Sequence, residues 1–387
     1  MTLALAWLVC LLAGIPVAAL ALECAAGARA DRFRPDAGEA PPFIVLMPAH
    51  DEAAVIARAV SAVLAELRAD DRLVVIADNC TDGTAAIARS LGATVLERRD
   101  PERRGKGHAL EHAREHLCCG NRAGEVVIVV DADCSPEPGA LACLAATSAR
   151  RAAVVQGAYL LAPGERAPAL VRVSCFAFLV KNLVRQRGLQ RLAGAALLQG
   201  SGMAFPRPLF GRLRWRESSL VEDLETGLDL LLAGERVLFE EAARFVSPAS
   251  SRGGTVSQRR RWEHGMLQTM ASAVPRLVAA GLRGRVRLLA VALDLVIPPT
   301  ALLVLVSAAV VALTVAAVGV VAPAIVLVAA QLALAAALWA AWLGEGQTML
   351  PVAGWSDVPR YFAWKLPILA QFVTTRERRW IRTEREP

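Results

Sequence analysis

Glu125-Val126-Val127-Ile128-Val129-Val130-Asp131-Ala132-Asp133 is the stretch that decides the fold. Its apolar, β-branched run reads as a strand buried on both faces, as in parallel sheets covered by helices. It stops on two carboxylates separated by one residue. The same grammar recurs upstream of it. Phe43-Ile44-Val45-Leu46-Met47 reads as a strand followed by an amphipathic helix from Glu52 to Leu67. Leu73-Val74-Val75-Ile76 leads into a helix from Thr84 to Leu91, and Thr94-Val95-Leu96 into a helix from Lys106 to Leu117. This alternation predicts an α/β domain on a mostly parallel sheet. Such sheets bind ligands outside the carboxyl ends of their strands. The polar clusters Pro48 to Glu52, Asp78 to Thr84 and Asp131 to Asp133 fall there.

The chain of 387 residues is 55% apolar and only 20% charged, and the apolar excess sits at its two ends. No charged residue occurs from Met1 to Leu22 or from Leu295 to Gly344. A spanning helix needs about 20 apolar residues, so the first stretch fits one crossing and the second fits two. A cleaved signal peptide is the alternative for residues 1–22, but no basic residue precedes the apolar run. Three basic clusters set the orientation: Arg29, Arg32 and Arg34; Arg283, Arg285 and Arg287; and Arg360, Lys365 and the arginines of the tail. With three crossings all lie on one side, which the positive-inside rule makes cytoplasmic. The expected organisation is a transmembrane helix at 1–22, a linker at 23–40, a cytoplasmic catalytic domain at 41–275 and an interfacial helix at 276–294. Two transmembrane helices at 295–344 and an interfacial segment with a basic tail at 345–387 complete it. That places the protein in the plasma (inner) membrane as a multi-pass protein, with the N-terminus outside and the C-terminus cytoplasmic. The net charge of +7 is accounted for by anionic lipid, without nucleic acid as a partner. The eight cysteines show no paired CxxC spacing, and a cytoplasmic domain keeps them reduced.

Each polar cluster admits a chemical and a bland reading. Asp131 and Asp133 can share one Mg²⁺ or Mn²⁺ that neutralises a diphosphate, or form a solvated acidic turn. Asp78 can accept hydrogen bonds from a base or ribose, while Asp82 and Thr84 suit helix capping. Lys106, in Arg104-Gly105-Lys106-Gly107, can contact a diphosphate or belong to a basic loop. Glu222 and Asp223 offer a carboxylate to deprotonate an acceptor hydroxyl, or an acidic helix start that the macrodipole favours. Gln258, Arg261 and Trp262 put an amide, a cation and an indole within five residues, suited to a departing diphosphate. His112, Glu115 and His116 match an HxxEH zinc pattern, with His108 one turn earlier; an ordinary surface helix reads the same way.

Taken in order, these clusters resemble the family 2 glycosyltransferases of GT-A fold, in particular the membrane-integrated cellulose, chitin and hyaluronan synthases. The resemblance spans Pro42 to Met270. It implies that Pro48, His50 and Glu52 open the nucleotide site and that Asp78 contacts the uracil end of the donor. Lys106 then lies near the diphosphate, and Asp131 with Asp133 holds the metal. Asp223 is implied as general base, Gln258, Arg261 and Trp262 as the QxxRW signature, and Gly200, Ser201, Glu222 and Trp262 as acceptor contacts. The implied reaction inverts the anomeric carbon, with Arg261 and Lys106 holding the leaving nucleoside diphosphate. A polysaccharide acceptor is the first reading, and transfer of one sugar to a lipid is the alternative. Three crossings are few for a polymer channel, so a homo-oligomer or export partner enters the expectation. Phe372 to Arg376 and Trp380 to Thr383 faintly resemble segments of processive synthases. A zinc hydrolase and a non-catalytic docking subunit are the readings from other classes.

Overall fold

The structure is a computed structural model that describes residues 2–30, 39–117, 125–215, 221–249 and 252–364, with the side chains of 252–264 outside the description. In chain order, helix α1 (Leu3–Gly27) precedes β1 (Phe43–Ala49), α2 (Ile56–Leu64), β2 (Arg72–Asp78), α3 (Thr84–Ser90) and β3 (Thr94–Arg98). Next come α4 (Lys106–Leu117), β4 (Val126–Val129), β5 (Ser135–Pro136), α5 (Ala140–Arg151) and β6 (Val154–Ala162). Helix α6 (Ala169–Leu179) runs through a π-helical turn at Val180–Val184 into α7 (Arg185–Ala193). They are followed by β7 (Met203–Pro206), α8 (Arg207–Phe210), α9 (Glu222–Ala233) and β8 (Val237–Pro248). The chain closes through α10 (Arg252–Leu282), α11 (Arg287–Val296), α12 (Thr300–Val318) and α13 (Ala322–Ala341). Two compact units result. Among the described residues, one takes in residues 2–30, 165–195 and 259–364, and the other the residues between 39 and 164 and between 196 and 258.

The second unit is built on one sheet of order β3-β2-β1-β4-β7-β6-β8-β5. β3, β2, β1 and β4 pair in parallel, as their apolar runs require. β7 then enters antiparallel between β4 and β6, while β8 lies parallel to β6, so the sheet is mixed with mostly parallel strands. Val126 to Val130 are all buried, which is why the run carries no polar residue before Asp131. The chain leaves β1 toward β2 on one side and returns on the other side at β4. The topological switch therefore falls between β1 and β4, where such sheets bind ligands.

The first unit gathers the apolar helices. Leu3–Gly27, Thr300–Val318 and Ala322–Gly346 are long and apolar enough to cross a membrane. Leu8, Leu12, Leu313, Leu332 and other large apolar side chains stand exposed on them, a surface suited to hydrocarbon. α1 and α13 run side by side in parallel, since Gly14 faces Leu327 and Gly344 faces the Ala28 carbonyl. Near the end of α1 the packing becomes ionic. The buried Arg185 guanidinium bonds Glu23 Oε2 at 3.0 Å and Asp294 Oδ1 at 2.6 Å, joining α7 to α1 and α11. Arg187 donates to the Gly27 carbonyl at 2.9 Å and pairs with Glu345 at 3.0 Å. Such close approach needs glycine, because a Cβ on Gly27 would strike the Val184 carbonyl and one on Gly188 the Glu23 carbonyl. Gly284, at φ +102°, separates α10 from α11 within the stretch expected as one interfacial helix. Lys365, the tail arginines, Phe372 to Arg376, Trp380 to Thr383, and Arg32 and Arg34 lie outside the described residues.

Candidate functional site

Two loops meet at the carboxyl ends of β1 and β2. At the carboxyl end of β1, Asp51 takes a left-handed backbone (φ +53°), and at the end of β2 Asn79 does the same, also at φ +53°. Asx residues tolerate that region because their short side chains bond locally, and here they do. Asp51 Oδ1 accepts from the Thr81 backbone N at 2.6 Å. Asn79 donates to Asp78 Oδ1 at 3.0 Å and accepts from Asp100 N at 2.7 Å. Glu52 N donates to Thr84 Oγ1 at 2.7 Å and Ala53 N to Asp82 Oδ2 at 3.1 Å, so Asp82 and Thr84 fasten the β1 loop as well as the start of α3. His50 Nδ1 donates to the Asp78 carbonyl at 2.7 Å. Pro48 lies within β1, opposite Ile76 of β2. Asp78 itself is buried and ion-paired to Arg98 at 2.6 Å, and Arg98 also reaches Asp100 and the Arg103 carbonyl. The sequence reading missed Arg98. Its signal was its place at the end of β3, the strand beside β2.

The second group surrounds Gly200. Lys106 Nζ bonds Asp131 Oδ1 at 2.5 Å and the Gly200 carbonyl. Gly200 sits at φ +97°, and a Cβ there would lie 3.0 Å from Asp223 Oδ2, 3.5 Å from Lys106 Nζ and 3.7 Å from Asp131 Oδ2. Three charged groups thus converge on a backbone position that only glycine can occupy without strain. Ser201 Oγ accepts from Asp131 N at 3.1 Å. Asp223 and Glu222 open α9, so Asp223 meets free backbone N–H groups, its own and that of Leu224. Burial nevertheless raises the Asp223 carboxyl above its ordinary value, with Asp131 adding to the rise and Lys106 opposing it. Burial disfavours the Lys106 ammonium, but Asp131, Glu222 and Asp223 outweigh it and hold its pKa above the usual lysine value. Residues 222–225 thus form an acidic helix start, with the Asp223 carboxylate turned toward Gly200.

Asp133 is buried beyond Asp131 at the end of β4, with its own carbonyl 3.5 Å from Arg58 Nη2. Asp131 already attracts a cation in the form of Lys106, and carboxylate oxygens are the hard donors that Mg²⁺ or Mn²⁺ takes. The residues present fit such an ion. Among the described residues, the one grouping of three ligand atoms is Asp51, Cys80 and Asp82. There burial raises the Cys80 thiol, and its Sγ lies 3.5 Å from the Ala49 carbonyl. On α4, the His112 and His116 rings lie against each other at a 58° tilt with centroids 4.2 Å apart, and His116 Nδ1 donates to the His112 carbonyl at 2.8 Å. Gln258, Arg261 and Trp262 fall in α10, but their side chains lie outside the described residues.

Comparison with known proteins extends the description. No curated protein sequence matches the chain. Over 94% of this chain and 100% of the other, the fold is similar to a mannosyltransferase from Pyrobaculum calidifontis, solved with GDP-mannose and Mn²⁺, at 21% identity and a TM-score of 0.55. A looser likeness, 19% identical with a TM-score of 0.39, covers 58% of this chain and 76% of the glucosyl-3-phosphoglycerate synthase of Mycobacterium tuberculosis, solved with Mn²⁺, UDP and phosphoglyceric acid. The first of these likenesses shows the fold, a GT-A type glycosyltransferase fold on a mixed, mostly parallel sheet. Residues 41–265, which supply every strand of the sheet and more than half of the chain, match the sequence profile described as glycosyltransferase like family 2, and the chain belongs to that family.

Proposed function

We propose that this chain is an inverting, metal-dependent transferase that moves a sugar from a UDP-sugar to an acceptor at the cytoplasmic face of a membrane. The observation that carries the reading is the convergence of Lys106, Asp131 and Asp223 at Gly200. Asp223 is the general base, and burial raises its proton affinity toward that task. It takes the proton of the acceptor hydroxyl as that oxygen attacks the anomeric carbon and the bond to the UDP oxygen breaks. Lys106 offsets charge growing on the diphosphate, together with Arg261, while Gln258 and Trp262 complete the donor site. Asp131 and Asp133 would hold a divalent ion, which when bound would supply further positive charge to the diphosphate. Gly200, Ser201, Glu222 and Trp262 form the acceptor seat. The Mn²⁺ complex of the similar mannosyltransferase supports the ion. In Asp133→Ala, calorimetry in Mn²⁺ should find UDP affinity reduced to the level the wild type shows in EDTA. Full Mn²⁺-dependent affinity would remove Asp133 from the ion's ligands.

The base is uracil on this reading. Asp78 Oδ1 is engaged by Arg98 and Asn79, while among the described residues Oδ2 has a 3.5 Å contact from Gly105 N. One available acceptor oxygen suits the single N3–H of uracil, whereas guanine presents two adjacent donors. A hydrogen bond to a charged group is worth about 1.5–3 kcal/mol, so UDP should bind roughly tenfold or more tightly than GDP. Arg98→Ala leaves Oδ1 with Asn79 alone and should narrow that gap. Equal affinities in the wild type would refute the assignment.

The parallel course of α1 and α13 supports three crossings with both basic flanks on the cytoplasmic side. A cell-surface polysaccharide is the first acceptor proposed. Single-sugar transfer to a lipid is the second, favoured by the three candidate spans among the described residues. Feeding radiolabelled UDP- and GDP-sugars to membranes that carry the protein, and sizing the product, tests both. A ladder or polymer supports the first, a single-sugar lipid the second, and no incorporation from any donor overturns the proposal.

A further inference from the structure

Strand β6 reads Val154-Val155-Gln156-Gly157-Ala158, and a glutamine is out of place in so apolar a run. A buried amide left unpaired costs about 1–3 kcal/mol, so such a residue persists where its hydrogen bonds are used. Gln156 is 0% exposed and uses both ends of its amide. Its Oε1 accepts from the Gln199 backbone N at 2.8 Å. Its Nε2 donates to the Ser201 and Gly157 carbonyls, each at 2.8 Å, with the Gly202 carbonyl at 3.4 Å. One side chain therefore grips residues 199–202 from entry to exit. In that loop the Gly200 carbonyl receives the Lys106 ammonium, and Ser201 Oγ accepts from Asp131 N. The loop needs an outside hold. Gly200 and Gly202 take φ of +97° and +68°, and glycine by itself has little preference for that region over its alternatives. On Gly202 and on Gly157, an added Cβ would run into the Phe245 ring, so the ring already packs tightly against the loop.

We infer that Gln156 is a positioning residue for sugar transfer. It acts through the loop, fixing where Gly200 and Ser201 stand beside Lys106, Asp131 and Asp223. The inference rests on the transferase reading above and adds to it a residue remote from the reacting atoms in sequence. Displacing reacting groups by about 1 Å can cost on the order of a hundredfold in rate. The uridine end of the donor, held by the β1 and β2 loops, is not touched by this contact.

The test uses the full chain in membrane vesicles, whose own lipids and glycans serve as acceptors, with UDP-glucose and UDP-N-acetylglucosamine as donor probes. Gln156→Leu removes the whole amide network. Gln156→Glu keeps the volume and the acceptor for Gln199 N but loses both donors, and it decides the matter if the leucine variant does not fold. Val155→Ala, at the adjacent buried position, is the control for simple loss of packing. Turnover by the Gln156 variants should fall about tenfold to a hundredfold. The ratio of sugar incorporated to UDP released should fall with it, while UDP affinity in Mn²⁺ stays at the wild-type value. Val155→Ala should lower the thermal midpoint and leave the ratio unchanged. Wild-type turnover and ratio in Gln156→Glu would overturn the inference, as would equal losses of UDP affinity and turnover. A wild type that binds UDP but incorporates no sugar would bring down the transferase reading itself, an outcome visible before any variant is made.

Discussion

Asp223→Asn should cut sugar transfer to a small residual rate while leaving the donor bound. A positioned general base contributes about 10²–10⁴-fold to rate, and kcat should fall by that amount. Asparagine keeps the shape and can still meet the N–H groups at the start of α9, but it cannot take the acceptor's proton. UDP affinity should hold, because Lys106 keeps its bonds to Asp131 and the Gly200 carbonyl. The sign of the pH dependence follows from burial. The Asp223 carboxyl is held above its ordinary value, so it protonates on mild acidification before an exposed carboxylate would. The wild-type rate is therefore full above that raised pKa and falls as pH drops through it. A pH–rate profile on purified protein checks this, and the acid limb should be absent from the residual rate of Asp223→Asn. Normal turnover by that variant would remove Asp223 from the chemistry.

The second large effect is on stability. Arg185 is the shared partner of Glu23 and Asp294, and all three side chains are buried. Arg185→Met deletes the cation and strands two carboxylates together out of water, a loss of about 3–5 kcal/mol by comparison with other broken buried pairs. Arg185→Lys should recover little, since one ammonium cannot reproduce the forked contact that spans α1 and α11. Combining Arg185→Met with Glu23→Gln and Asp294→Asn should restore much of the thermal midpoint in detergent, because the unpaired charges are then gone. An Arg185→Met midpoint equal to wild type would show that the cluster contributes no net stability.

These features differ in how legible they are in the sequence. The β4 run and Asp131-Ala132-Asp133 announce themselves, because a strand covered on both faces excludes polar residues until the sheet ends. For the same reason β1 and β2 were readable, and the polar residues after each could be assigned to one edge. The antiparallel entry of β7 was not readable. Met203-Ala204-Phe205-Pro206 is short, and nothing in four residues states the direction of its neighbours. Helix α2 begins only at Ile56, because the residues before it are drawn into contacts with Asp82 and Thr84. Arg98 and Gln156 escaped for a different reason. Each is a single polar residue at or inside a strand, and its role depends on partners far away in sequence. Arg185 and Arg187 read as ordinary helix cations, and only the packing reveals that their charges face Glu23, Asp294 and Glu345. Position along the sheet was thus written in local pattern, whereas the groups that hold the site in shape were written in long-range contacts.

The most direct test of the account is release of nucleoside diphosphate by purified, full-length protein in lipid, against a panel of UDP- and GDP-sugars. The expected result is UDP release coupled to sugar incorporation from at least one UDP-sugar, suppressed by EDTA and lost in Asp223→Asn. Failure to consume any nucleotide sugar, by a protein that still binds UDP, would contradict it.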